Sequence, residues 1–267
     1  MLSTSNVANL VVAWTAPLVG VTIGQVLVLV APATGASPLP PGASPAGVAI
    51  VGDNAGYMYC FDAATGVVLW TRFLAVAYGG PLATGVDGVM GTSVADVAAG
   101  VVYAVAAGGL YKLRLVDGTD AWTTPTIFDS SILNAESALT LVGGRVIVQL
   151  CAQAGDAPNV NGSVIAVSTT TGAITASFFP AATVNESAYG PSWGGGLWGP
   201  AGAVSAPDGN PSHTSPFIWT AVGNVGTTNQ TPGHGDQAGN QYGGEFRRAA
   251  ARRERLCKRS CVVADSS

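Results

Sequence analysis

Three similar segments of the chain each begin with a glycine, at Gly56, Gly109 and Gly162, and the interval between successive glycines is 53 residues both times. A second glycine closes a turn further along each segment, at Gly66, Gly118 and Gly172, with intervals of 52 and 54. A period near 50 that survives three copies restricts the chain to a repeat architecture, in which one supersecondary unit is stacked on the next. A β-rich run precedes each leading glycine, at 48–51, 101–105 and 146–150, and a fourth copy of the run stands at 217–222. Each unit therefore reads as strand, turn, strand, turn, strand, in four-stranded antiparallel form.

The first unit shows the turn chemistry most clearly. In Asp62-Ala63-Ala64-Thr65-Gly66 the aspartate can accept hydrogen bonds from the backbone just beyond it, and the glycine supplies positive φ. Trp70 and Trp122, 52 residues apart, are expected at equivalent places between adjacent sheets as packing groups. Antiparallel sheets repeated radially with short protected edges make a β-propeller. The expected fold is all-β: a propeller of four-stranded antiparallel blades, with about four blades present.

Composition agrees with many short strands and tight turns. Glycine supplies 36 of 267 residues, about double the usual share, and charged residues only 10%. The net charge of −4 and the absence of a basic patch before the C-terminus leave no nucleic-acid footprint. The longest apolar run, 26–33, is broken by Pro32 and falls far short of the roughly 20 residues of a spanning helix. Residues 1–20 lack the basic start of a signal peptide. The cysteines Cys60, Cys151, Cys257 and Cys261 form no CxxC pair, and the first two are expected as small buried residues in strands.

Residues 1–225 are the expected blades, with a proline-rich loop insertion at 31–47. A Gly/Gln/Asn-rich loop follows at 226–246, and 247–267 form a basic tail, disordered or helical. Seven of the eleven basic residues fall between Arg247 and Arg259. So abrupt a switch suits a frameshift or mis-spliced exon, a solvated helical tail, or a binding tail.

The motifs themselves resemble a known family. Asp62-Ala63-Ala64-Thr65-Gly66, closed by Trp70, is similar to the D-x-x-T-G-x-x-x-W signature of the pyrroloquinoline quinone (PQQ) type repeat. The segment Asn6-Val7 to Leu10 and Trp14 resembles the opening of quinoprotein alcohol dehydrogenases. Gly195-Gly196-Leu197-Trp198-Gly199, followed by Trp219 to Asn224, resembles another of their stretches, nearest to the polyvinyl-alcohol-dehydrogenase-like branch. The resemblance implies an eight-bladed ring with PQQ and Ca²⁺ near its axis, so this chain would be a partial ring. It implies Trp198 as the aromatic floor of the quinone, with Trp193 and Gly196 beside it, and Asn224 as a calcium ligand. It also implies an alcohol as substrate and a periplasmic or secreted location.

The chain departs from that pattern in several places. It has no adjacent cysteine pair to cap the quinone, Asp156 is the only acid where an acidic calcium ligand is expected, and the catalytic aspartate would lie beyond the resemblance. The expectation is an alcohol dehydrogenase-like but incomplete and inactive chain. The alternative is a non-catalytic propeller scaffold or binding module. Open propeller edges allow self-association.

Other motifs carry less. Gly190 to Gly194 fits G-x-S-x-G without the following helix of a nucleophile elbow. Gly194 to Gly199 fits G-x-G-x-x-G without a helix to receive a pyrophosphate, and is better read as a glycine-rich loop that allows close approach. His213 and His234 lie in loop contexts, and the sequons at Asn161, Asn185 and Asn229 matter only in an exported chain.

Overall fold

The computed structural model describes residues 7–31, 37–78, 86–153, 160–180, 192–194, 196–199, 201–206, 217–222, 225–227 and 246–249. They form short antiparallel strands and a single 3-10 turn at Val7–Asn9, with no α-helix among them. The first blade runs β1 (Leu27–Leu29), β2 (Val48–Gly52), β3 (Tyr57–Asp62) and β4 (Val68–Phe73), paired in that order. The proline-rich segment lies between β1 and β2. The short pair β5 (Ala77–Tyr78) and β6 (Val86–Asp87) leads into the second blade. That blade has β7 (Val94–Asp96), β8 (Val101–Ala106) and β9 (Gly109–Arg114), and bridges Leu113–Asp120 and Gly109–Thr126 stand in for its outer strand.

In the third blade, β12 (Arg145–Ala152) pairs at its start with β11 (Thr140–Val142) and at its end with β10 (Leu133–Asn134). On its other side come β13 (Ser163–Ser168) and β14 (Ile174–Phe178). The fourth unit divides the same scheme between two sheets. In one, β15 (Ser192–Gly194) pairs β18 (Val225–Thr227); in the other, β16 (Val204–Ala206), β17 (Phe217–Ala221) and β19 (Phe246–Ala249) are adjacent. The tail expected from Arg247 is described only over 247–249, which are extended in β19; 250–267 lie outside the described residues.

Central strands of the second and third blades are buried on both faces, because each of these blades is sandwiched between two others. The whole of β8 and all but the first residue of β12 are buried. Side chains that alternate along a strand therefore feed two different cores. Val48, Ile50, Met58 and Cys60 of the first blade join Val102, Ala104 and Leu113 of the second. Val101, Tyr103 and Val105 of the second join Val146, Val148 and Ile165 of the third. Ile147 and Val164 then join Leu197, Ala203 and Ile218 of the fourth. Cys60 and Cys151 are buried thiols inside strands, as anticipated, and burial pushes the Cys60 thiol up to about 12.

The outer hairpins repeat closely. Gly66, Gly118 and Gly172 have φ of 73°, 71° and 72°, and each donates its N–H to the carbonyl four residues back. Asp62 Oδ1 accepts from the Ala64 and Thr65 N–H groups and the Thr65 hydroxyl. Hydrogen bonds from Ser44 and Thr65 hold its carboxyl well below the usual carboxylate range. Each glycine also receives a group from the preceding unit. A Cβ on Gly118 would lie 2.8 Å from the Trp70 ring, and one on Gly66 would lie 2.6 Å from the Trp14 ring. Trp70 Nε1 donates to Leu115 O at 2.9 Å and Trp14 Nε1 to Ala63 O at 3.0 Å.

Trp122 does not take the place equivalent to Trp70. Its Nε1 donates to Leu110 O of its own blade, and its ring meets Tyr103 edge-on and the Lys112 ammonium at 5.2 Å. Pro125 packs on Gly172 instead, 3.0 Å from the position of a Cβ there. The ammonium of Lys112, which also donates to Thr169 O, holds the indole inside its own blade.

Candidate functional site

The strand order gives the blades two distinct ends. One carries the outer hairpins. The other carries the turns after β2, β8 and β12 and the connections that enter each inner strand. This entry end gathers polar groups from blades far apart in sequence. In the first blade Asp53 Oδ1 accepts from the Tyr57 N–H at 2.9 Å, and Oδ2 accepts from the Gly20 N–H at 2.8 Å and the Tyr59 hydroxyl at 2.9 Å. Asn54 Oδ1 accepts from the Val21 N–H at 2.7 Å. Burial pushes the Tyr59 phenol up to about 12, with the neighbouring Asp53 adding to the rise.

A second cluster joins the next two blades. Asp87, at the end of β6, is 2% exposed. Its Oδ2 accepts from Gln153 Nε2 at 2.5 Å and from Asn134 Nδ2 at 3.3 Å. The same Asn134 amide reaches Glu136 Oε1 at 3.4 Å, so one NH₂ group bridges two carboxylates. Asp87 Oδ1 is buried with no hydrogen-bond partner. Burial raises the pKa of Asp87, against the lowering effect of the Gln153 donor. Burial also raises that of Glu136, and the Asp87 charge adds to it. β6, which pairs with β5, and β10, which pairs with the end of β12, each finish in a buried polar residue.

The glycine-rich loop adjoins this cluster. Ser137, next to Glu136, donates its hydroxyl to Leu197 O at 2.8 Å, and the Leu197 N–H donates to Leu150 O at 3.3 Å. Leu197 is fully buried, whereas Trp198 is 37% exposed. The Trp198 indole lies on the backbone of Gly196, where a Cβ would come within 2.7 Å of the ring. Of the residues singled out by sequence, Gly196 and Trp198 are thus in direct contact. Trp193 is placed by its backbone in β15, opposite Gly226 of β18. Asn224 and Asp156 lie outside the described residues, as do His213 and His234. The Asp87, Asn134, Glu136 and Gln153 cluster was not anticipated, since these residues match no motif and meet only through folding.

PQQ is a planar tricarboxylate, and holding it takes an aromatic surface together with cations and N–H donors around its rim. Trp198 offers the surface. Glu136 adjoins Ser137, which bonds the loop at Leu197, and Asp87 is linked to Glu136 through Asn134; as acids, both oppose an anion. Of the cations whose side chains are described, Arg72 pairs with Asp120 at 2.5 Å, Lys112 lies against two rings, Arg114 reaches Thr119 and Arg145 reaches Thr175. The described residues therefore do not fit the quinone. Among them, no group of three or more His, Cys, Asp or Glu side chains is placed to hold a metal ion, and no helix is long and apolar enough to cross a membrane.

A PQQ-repeat family model, described as outer membrane protein assembly factor BamB, matches residues 11–188. The quinohemoprotein alcohol dehydrogenase of Comamonas testosteroni superposes with a TM-score of 0.50 at 19% identity, covering 67% of this chain and 28% of that one. A quinohemoprotein alcohol dehydrogenase of Pseudomonas putida gives 0.48 at 18%, covering 67% and 27%. BamB of Moraxella catarrhalis gives 0.46 at 15%, covering 80% and 51%. At these identities the likeness is one of fold, and this chain spans little more than a quarter of the dehydrogenases and half of BamB. No curated protein sequence matches it.

Proposed function

Since the chain belongs to the BamB-type PQQ-repeat family of β-propellers, we propose that it serves as a non-catalytic propeller module that binds a protein partner, not as an alcohol-oxidising quinoprotein. The carrying observation is the buried carboxylate of Asp87, paired through Asn134 with Glu136 beside the Trp198 loop. A polyanionic cofactor brought to that face would meet acidic groups whose burial already disfavours negative charge, in a region of low dielectric where added charge is poorly screened. The family model's description favours the same reading, because it names an assembly factor.

One observation favours the second reading, an alcohol dehydrogenase-like protein that uses PQQ and Ca²⁺. The Trp198 indole is braced on Gly196 with over a third of its surface open, as an aromatic floor would be. Titration of the purified full chain with PQQ, with and without Ca²⁺, separates the two. The binding-module reading expects no saturable change in quinone absorbance, no quenching of tryptophan emission and no dye-coupled oxidation of alcohols. Saturable binding with alcohol oxidation would replace it with the dehydrogenase reading.

A further inference from the structure

The segment before the first blade runs like an outer strand but, among the described residues, pairs with no sheet. Val11-Val12-Ala13-Trp14-Thr15 repeats Val67-Val68-Leu69-Trp70-Thr71, the segment leading into and through the start of β4, with one substitution. The contacts repeat as well. Trp70 reaches across to the hairpin glycine and a carbonyl of the second blade; Trp14 does the same at Gly66 and Ala63 of the first. Trp14, Ala16 and Leu18 pack on Ala49, Val51, Tyr59 and Phe61, the face of the first blade turned away from the second. Val19 to Val21 are then tied to Tyr59, Asp53 and Asn54 at the entry end. Residues 11–18 therefore follow the path of an outer strand in a blade that precedes the first.

Among the described residues, this segment has no neighbour within a sheet. β4 pairs with β3 through Val68, Trp70 and Thr71. The backbone of 11–18 makes no hydrogen bond to any described residue. Val11 is 87% exposed and Val12 78%, while Val28 and Val30 on the same side of the first blade are each 60% exposed. An unpaired strand flanked by exposed valines is a template for strand addition.

The other end of the chain offers the complementary edge. β19 follows β16 and β17 in the position that β3 and β13 hold in their blades, and pairs with β17 on one edge. In the first and third blades the opposite edge of that third strand carries β4 or β14. No described strand occupies this edge of β19. The fourth unit of the same chain does not cover 11–18, as the exposure of Val11 and Val12 shows. We propose that residues 11–18 of one copy pair with β19 of a second copy, so that one chain supplies the outer strand of the other's fourth blade. The contact joins two different surfaces, and so either closes two copies into one ring or extends head to tail. It continues the packing already present between blades.

Sedimentation of the full chain over a dilution series tests this directly. The expected species has twice the 26.6 kDa chain mass, or is a longer head-to-tail oligomer. The double variant V11R/V12R should raise the half-association concentration by on the order of tenfold or more, with an unchanged far-ultraviolet circular dichroism spectrum. The matched variant V67R/V68R changes exposed valines in a strand that is already paired, and should leave association as in the parent. A parent that stays monomeric throughout, because its own residues beyond 249 or none at all pair with 11–18, overturns the proposal. So does association that V11R/V12R leaves intact.

Discussion

Asp87 carries two amide donors on one carboxylate oxygen and none on the other, inside a blade joint. Such an arrangement favours the protonated acid, since a proton on Oδ1 removes a buried charge. With the folded-state pKa of both Asp87 and Glu136 raised, their contribution to stability is fully present below the ordinary carboxylate pKa near 4 and is lost as pH rises through the raised values. Asp87→Asn keeps the shape and an acceptor for Gln153 while removing the charge. It should flatten the loss of stability above pH 4, read from urea midpoints across pH. A variant less stable than the parent at pH 7 would mean that the ionised carboxylate is the favoured form.

At the scale of elements, the hairpin glycines set how tightly successive blades meet. Gly118 and Gly172 share the same backbone twist, so alanine costs both about 1–2 kcal/mol for the left-handed conformation. They differ in what lies against them. The new methyl at 118 meets the flat face of a buried indole at 2.8 Å; at 172 it meets a proline edge at 3.0 Å. Gly118→Ala should therefore be the more destabilising of the two in equilibrium urea unfolding; equal losses would show that backbone strain alone decides. These turns were legible in the sequence because their glycines recur at intervals of 52 and 54, and the first carries the Asp-x-x-Thr-Gly pattern. The Trp70 joint was legible from the same spacing. The displacement of Trp122 was not, because Lys112 and Tyr103 compete for its ring from within the blade.

For the whole molecule, three cores in series join the four units, each shared between neighbours only. Stability in such an array is a sum of units and interfaces, so damage spreads to adjacent blades first. Trp70→Ala removes a buried indole from the core between the first two blades, at a cost of about 3–5 kcal/mol. Hydrogen exchange should then accelerate in β3, β4, β8 and β9 and change least in β13 and β14. Uniform acceleration across all blades would show a single cooperative unit instead. The sequence by itself determined the period, the strands, the hairpins and the family, since all of these are written in residues close along the chain. Only the tertiary structure decided which groups meet at the entry end. Asp87 lies 66 residues from Gln153, and Ser137 lies 60 from Leu197. Contacts across blades depend on how each sheet is turned against the next, and no local pattern encodes that angle. The segment 11–18 shows the same division: its sequence nearly repeats 67–71, but only the structure shows that no described strand pairs with it.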